Sequence, residues 1–251
     1  MFFNSPILLH YYITYQCNCR CGFCNIWSRS NTTVMAKVRH VCENLREARE
    51  LGVRFVDFTG GEPLLHPDLP FFLEKARSLK LKTSVTTNCL LYPDRAEQLA
   101  GKIDFLHFSL DALVEEKHNA IRGEKAFSQV MKSIDIAVKL GEKPDLLFTL
   151  FEDNMDQLPL LVHFARRMNL MLIVNPVLSY FRSFPLPLEA CWQSIRKANV
   201  YPHVYVNNAL FRLHKSGGNN VRKPLCRVVD SCIIVSPENA LILPCYHFQQ
   251  K

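Results

Sequence analysis

The segment Cys17-Asn-Cys-Arg-Cys21-Gly-Phe-Cys24 follows an apolar and aromatic run, Ile7 to Thr14, that has the length and composition of a β-strand. The spacing C-x3-C-x2-C places three thiols on one short loop, with the aromatic Phe23 just before the last of them. Three thiolates can hold three irons of a 4Fe-4S cluster, because such clusters are bound through cysteine sulfur. The fourth iron then has no protein ligand from this loop, and a small molecule can bind and react there.

The same cysteines could instead form half of a zinc site. Structural zinc takes four sulfur or nitrogen ligands, often from two C-x2-C pairs. The sequence has no second pair of this spacing, which favours the cluster over zinc. Cys19 lies between the spaced cysteines, and we expect it to be a bystander.

Strands and helices alternate along the first part of the chain. Apolar residues recur at steps of three and four in the helices, as in Val41, Leu45 and Ala48, and Glu124 to Leu140 is predicted as one long helix. This alternation indicates parallel βαβ units, in either a barrel or a doubly wound sheet. The predicted strands are Ile7 to Thr14, Val53 to Thr59, Lys82 to Thr87, Ile103 to Leu110, Asp145 to Phe151 and Leu170 to Val174.

Polar motifs follow the ends of the first four predicted strands. The cysteine loop comes after the first strand, Gly60-Gly61-Glu62-Pro63 after the second, and Asn88 after the third. Ser109 and Asp111 lie at the end of the fourth. Ligands of parallel α/β folds bind at the carboxyl ends of the strands. We therefore expect these motifs to share one rim.

The cysteine loop and the Gly-Gly-Glu-Pro run together resemble the signature of the radical S-adenosylmethionine (radical SAM) enzymes. The resemblance covers residues 7 to 178 and implies a partial (β/α)6 TIM-like barrel in an α/β fold. It also implies that Phe23 lies beside the adenine of S-adenosylmethionine. In the family, the run corresponding to Gly60, Gly61 and Glu62 lies against the amino group of the methionine moiety.

Two further motifs are similar to the branch of this family that includes molybdenum-cofactor and peptide-modifying enzymes. Phe108-Ser109-Leu110-Asp111, with His118-Asn-Ala-Ile-Arg122-Gly123, matches its fourth-strand region. The resemblance implies that Ser109 and Arg122 approach the ribose and carboxylate of S-adenosylmethionine, and an arginine fork suits a carboxylate. Asp111 is alternatively a helix cap, and His118 is expected to be structural.

The third strand ends in a partial match to the same family. Thr87-Asn88 stands where the family often has Thr-Asn-Gly, with Cys89 in place of the glycine. The match implies that Asn88 contacts the cofactor.

The C-terminal part of the chain carries a weaker resemblance. We predict a core domain over residues 1–180 and an extension over 181–251, with a hairpin that turns near Pro237 to Asn239. The extension resembles the opening of a SPASM or twitch region, which implies that Cys226, Cys232 and Cys245 bind a second iron-sulfur cluster. Small buried cysteines are the alternative. Asn239 stands where a glycine is usual, and only six residues follow Cys245, so we expect a truncated extension.

Composition restricts the class of protein. The net charge of +7 is spread without blocks of like charge, which favours a solvated basic surface over an attraction to acidic substrates and does not indicate a nucleic-acid partner. No apolar run reaches the length of a membrane span, and the N-terminus lacks the basic region of a signal peptide. The ten cysteines include four within eight residues, which fits metal binding in a reducing compartment and predicts a cytoplasmic protein.

The resemblance implies an enzyme that reductively cleaves S-adenosylmethionine at a 4Fe-4S cluster. The resulting 5′-deoxyadenosyl radical abstracts a hydrogen atom from a peptide or small-metabolite substrate, and the electron comes from a donor such as flavodoxin or ferredoxin. Two other functions stay open. One is an iron-sulfur electron-transfer protein, which needs neither the Gly-Gly-Glu-Pro run nor Ser109 and Arg122; the other is a zinc-stabilised binding module.

Overall fold

The computed structural model of the protein describes residues 5–29, 33–177, 188–216, 226 and 228–243. Eight strands form one sheet in these ranges: β1 (Leu8–Thr14), β2 (Phe55–Gly60), β3 (Lys82–Thr87), β4 (Phe105–Ser109), β5 (Asp145–Leu150), β6 (Leu172–Pro176), β7 (Val204–Val206) and β8 (Cys232–Val235). The helices are α1 (Val38–Glu50), α2 (Leu69–Ser78), α3 (Tyr92–Leu99), α4 (Glu115–Arg122), α5 (Phe127–Lys139), α6 (Gln157–Met168), α7 (Leu188–Ala198) and α8 (Asn208–Lys215).

The strand order explains why the sheet curves into an open barrel. The order is β7-β6-β5-β4-β3-β2-β1-β8, and every pair of neighbours is parallel. From β1 to β7 each crossover steps in the same direction. Because such crossovers are right-handed, the helices all cover one face of the sheet. A doubly wound sheet would need a reversal of direction, so the predicted partial TIM-like barrel is confirmed.

Side chains alternate between the two faces of each strand. Leu9, Tyr11 and Ile13 of β1 are almost fully buried in the core that also contains Val41 and Leu45 of α1. The intervening side chains of β1 therefore point to the other, concave face. The helices thus form the outer layer, and the concave face forms the interior of the barrel.

Two strands from beyond residue 180 join this sheet, which the sequence did not predict. β7 extends it after β6, and β8 lies parallel to β1, with Leu8 opposite Cys232 and Tyr11 opposite Val235. The predicted hairpin turn is present, because the Ser236 amide donates to the Ala240 carbonyl at 2.8 Å. Its first strand is nevertheless a barrel strand. The division into domains at residue 180 stays a prediction.

The helix α4 was also missed by the sequence pattern. Its buried side chains are the polar His118 and Arg122, so it lacks an apolar stripe. The long helix predicted from Glu124 begins instead at Phe127, as α5. No helix in the part of the chain that the structure describes is long and apolar enough to cross a membrane.

Candidate metal and cofactor site

The cysteine loop leaves the carboxyl end of β1 and is fastened to the end of α4. The Arg20 amide donates to the Arg122 carbonyl at 2.9 Å, and the Gly22 amide donates to the Ile121 carbonyl at 3.2 Å. Gly123 ends α4 with a left-handed φ of +63°. A Cβ atom there would lie 2.5 Å from the Arg20 carbonyl oxygen, so glycine permits this contact.

The three spaced cysteines differ in exposure. Cys17 and Cys24 are partly exposed, whereas Cys21 is 7% exposed. Within the described residues, no group of three or more histidine, cysteine, aspartate or glutamate side chains surrounds one point as a single metal ion requires. A 4Fe-4S cluster places each thiolate on a different iron, so its ligands need no common centre.

Hydrogen-bond donors surround the cysteine sulfurs. The Cys19 amide lies 3.4 Å from the sulfur of Cys17, and Arg122 Nη1 lies 3.8 Å from the sulfur of Cys21. The Cys19 thiol, helped by Arg122, lowers the pKa of Cys21 to about 6 although burial opposes the change. Burial raises the pKa of Cys17 to about 12. Donors of this kind stabilise ligating sulfurs, so the residues present fit an iron-sulfur cluster.

Gly60 and Gly61 let the end of β2 approach the end of β1. The Gly61 amide donates to the Thr14 carbonyl at 2.9 Å, and the Glu62 amide donates to the Gln16 carbonyl at 2.7 Å. A Cβ atom on Gly61 would lie 1.9 Å from the carbonyl oxygen of Gln16. These bonds hold the residue just before Cys17, so the glycines position the cysteine loop.

We predict that Gly61→Ala lowers the free energy of unfolding by about 3 kcal/mol, because the added methyl overlaps backbone that cannot yield. Urea unfolding of the reconstituted protein measures this change. Gly101→Ala is the control: Gly101 has a φ of +70° but open space around it. It should cost only about 1 kcal/mol from backbone strain. Equal losses in the two variants would contradict the packing argument.

The carboxylate of Glu62 faces the protein and joins β2 to β3. It is 1% exposed and accepts hydrogen bonds from Thr87 Oγ1 at 2.7 Å, the Asn88 amide at 2.8 Å and the Leu64 amide at 3.1 Å. Burial raises the pKa of Glu62 to about 7, and these donors limit the rise. Both carboxylate oxygens are therefore used within the protein, which leaves backbone groups of this run for a ligand. The predicted contact with S-adenosylmethionine stays a prediction.

Asn88 lies against the cysteine loop. Its side-chain amide donates to the Asn18 side-chain oxygen at 2.7 Å and lies 4.0 Å from the Cys17 sulfur. Cys89 is buried and has a φ of +70°, in the left-handed region that favours glycine. The backbone therefore has the conformation that the family's glycine suits, although this chain has a cysteine there.

Asp111 pairs with Arg122 and does not cap a helix, contrary to the alternative drawn from the sequence. Asp111 Oδ2 lies 2.6 Å from Arg122 Nη2, and Asp111 Oδ1 accepts from the Thr149 amide at 3.0 Å. Burial opposes the positive charge of Arg122, but Asp111 and the Cys21 sulfur hold its pKa above the usual range. The guanidinium lies 5.6 Å from the centre of the Phe23 ring. Arg122 thus connects Asp111, Cys21 and Phe23.

His118 and Ser109 complete this corner of the rim. His118 Nδ1 accepts from the Asp111 amide at 3.2 Å, and burial, with Arg122 nearby, lowers the pKa of His118 to about 3. The ring is therefore neutral and supports Asp111, as expected for a structural residue. Ser109 is buried at the end of β4. Its predicted ribose contact stays a prediction.

Asn154 is a supporting residue that the sequence did not single out. Its side-chain amide donates to the carbonyl of Asp111 at 3.2 Å and to the carbonyl of Thr149 at 2.9 Å. It lies in a short helical turn after β5, and no motif marks it.

The predicted second cluster is only partly within the described residues. Cys232 begins β8 and is partly buried, and Cys226 is also described, whereas Cys245 lies outside the described residues. Asn239 stands where the resemblance has a glycine, with a φ of +66°, and Asn44 donates to its side chain at 2.7 Å. The second cluster stays a prediction.

The fold and the rim define a class of protein, an open parallel barrel with a three-cysteine loop at the end of its first strand. The family model described as the radical SAM superfamily matches residues 11–165. The chain belongs to this superfamily, whose cofactors are a 4Fe-4S cluster and S-adenosylmethionine. The donors around Cys17 and Cys21 fit the first of these cofactors.

Curated relatives are similar to the chain over part of their length. A probable GTP 3′,8-cyclase of Methanococcus maripaludis strain C7 is 30% identical over 167 residues, which are 64% of this chain and 56% of the relative. One of Pyrococcus abyssi is 28% identical over 210 residues, 79% of this chain and 68% of the relative. The chain thus spans little more than half the length of the first relative.

Solved structures share the fold. Streptococcus suis SuiB bound to its precursor peptide SuiA has a TM-score of 0.81 at 19% identity, covering 98% of this chain and 60% of SuiB. The structure of anSMEcpe with bound AdoMet and the Cp18Cys peptide has a TM-score of 0.74 at 17% identity, covering 98% of this chain and 75% of that one. At these identities the comparison supports the fold.

Proposed function

We propose that the chain is a radical SAM enzyme whose Cys17, Cys21 and Cys24 hold the 4Fe-4S cluster. When bound there, the 4Fe-4S cluster would supply the reductive cleavage of S-adenosylmethionine to a 5′-deoxyadenosyl radical, and that radical would abstract a hydrogen atom from the substrate. The observation that carries this proposal is the placement of Cys21 beside the buried Arg122, 3.8 Å from its sulfur, at the rim of the barrel.

Four residues are proposed to orient S-adenosylmethionine. Phe23 offers its ring to the adenine, and Arg122 lies beside that ring with its charge directed at the rim. Asn88 lies next to Cys17, and Ser109 ends the neighbouring strand. Glu62 takes part by fixing the backbone of Asn88.

The substrate and the electron donor belong to this proposal as well. The named relatives are probable GTP 3′,8-cyclases, and SuiB was solved with a precursor peptide, so a nucleotide and a peptide are the two substrate classes proposed. The electron is proposed to come from a flavodoxin or ferredoxin. A cytoplasmic location is proposed from the four cysteines within residues 17–24, a density that suits a reducing compartment.

Anaerobic reconstitution with iron and sulfide, followed by addition of dithionite and S-adenosylmethionine, tests the function. We expect a brown protein that forms 5′-deoxyadenosine, detected by liquid chromatography and mass spectrometry. An iron-loaded protein that forms none would indicate electron transfer instead. A colourless protein that binds zinc would indicate the binding module.

A further inference from the structure

The concave face of the barrel carries a row of polar side chains that the cofactor site does not use. On β1, β2 and β3, three residues face one another in register: His10, Asp57 and Ser84. His10 Nδ1 lies 2.8 Å from one carboxylate oxygen of Asp57, and Ser84 Oγ donates to the other at 2.8 Å. The alternating residues of these strands form the buried core under the helices, so this row faces the interior.

A second pair lies on the next two strands, displaced by two residues, because Ser84 is opposite Phe105 and Thr86 is opposite His107. His107 of β4 is opposite Asp145 of β5, with His107 Nδ1 3.2 Å from the carboxylate. Burial opposes the charge of Asp57, but His10, Ser84 and His107 together hold its pKa below the usual value. We name the five residues the polar row: His10, Asp57, Ser84, His107 and Asp145.

The carboxylates determine what the histidines offer to a ligand. Each imidazole places Nδ1 nearest a carboxylate oxygen, so Nε2 is the ring nitrogen that is left to face a ligand. Neither Nε2 has a hydrogen-bond partner among the residues that the structure describes. Asn175 on β6 adds a buried side-chain oxygen that is likewise without a partner in the described ranges. The two carboxylates and the Asn175 oxygen thus give this face hydrogen-bond acceptors.

Lysine and arginine are scarce on the same face. The eight strands contain one lysine, Lys82, and no arginine, and Lys82 is paired with Asp104 at 2.6 Å. β8, which borders β1, contributes residues 232 and 234 to this side, a cysteine and an isoleucine. A nucleoside triphosphate carries several negative charges and needs cations to bind. Asp57 and Asp145 would instead repel it.

We propose that the polar row binds the substrate, and that it accepts a hydrogen-bond-donating group that is uncharged or cationic, such as the amides or ammonium of a peptide. This inference rests on the proposed function and narrows its substrate class. Of the two classes represented among the similar proteins, a peptide fits the row and GTP does not.

Matched probes test the charge preference without an identified substrate. Anaerobically reconstituted protein with S-adenosylmethionine is dialysed to equilibrium, at low ionic strength, against guanosine or GTP. It is likewise dialysed against the capped pentapeptides acetyl-GGKGG-amide or acetyl-GGEGG-amide. We expect the lysine peptide to bind about tenfold more tightly than the glutamate peptide, and GTP no more tightly than guanosine. Asp57→Asn/Asp145→Asn should abolish the preference for lysine.

Asp94→Asn/Asp135→Asn is the matched control, because it removes two exposed carboxylates from the outer helices α3 and α5. It should keep the preference of the wild type. If the double variant of the row fails to fold, Asp145→Asn alone should at least halve the preference. GTP binding tenfold tighter than guanosine, or a lysine preference unaffected by Asp145→Asn, would overturn the proposal.

The proposed function can fail separately from this inference. A protein that shows the charge preference but forms no 5′-deoxyadenosine contradicts the function and leaves the binding assignment standing. A protein that forms 5′-deoxyadenosine but shows no preference contradicts only the assignment of the polar row.

Discussion

Cys21→Ala is expected to reduce 5′-deoxyadenosine formation to the background of the reagents. Loss of one thiolate leaves one iron of the proposed cluster without its protein ligand, and the remaining two cysteines cannot define a single open iron. Arg122 and Cys19 also contact the sulfur of Cys21, so the substitution removes the partner of both groups. Iron and sulfide analysis, with electron paramagnetic resonance of the dithionite-reduced protein, measures the effect alongside the product.

Two other cysteines provide controls for this prediction. Cys42 lies on α1, away from the loop, and Cys42→Ala should retain both iron and product. Cys19 is fully buried within the loop, and Cys19→Ala should retain the iron because its sulfur is not a ligand. If Cys19→Ala loses the iron while Cys21→Ala retains it, the ligand assignment is wrong.

The first six strands could be predicted because each is a short apolar run bounded by turns or glycines. The shared rim could be predicted from these strands, because parallel strands bring their carboxyl ends to one edge of the sheet. β8 could not be predicted in the sheet, because the apolar run after Cys232 is equally suited to a separate hairpin. Only its long-range register with β1 decides between the two.

Residues with buried polar side chains were the least predictable part of the site. The helix α4 carries His118 and Arg122 on its inner side, and their burial depends on Asp111, which lies on a different element. The polar row was equally hard to predict, because its residues also lie on different elements. His10 and Asp57 are separated by 47 positions in sequence and meet only through the register of β1 and β2, so no local pattern reveals their contact.

Asp111→Asn is expected to lower the free energy of unfolding by about 3 kcal/mol, because it removes the carboxylate that pairs with the buried guanidinium of Arg122. Asp111 is fully buried and Arg122 is 7% exposed, so water cannot replace the lost partner. Urea unfolding of the reconstituted protein measures the loss. Asp156→Asn is the control, since the Asp156 side chain is 59% exposed in its pair with Lys117. It should cost less than about 1 kcal/mol.

The double variant Asp111→Asn/Arg122→Met separates stability from function. Removing both charges eliminates the unpaired buried ion, so the double variant should regain most of the stability that the single variant loses. The affinity of the double variant for S-adenosylmethionine should nevertheless stay low, because the guanidinium no longer lies between Cys21 and Phe23. If S-adenosylmethionine binding recovers together with stability, Arg122 serves only the fold. Weak binding in a stable double variant would instead identify Arg122 as the group that orients the cofactor.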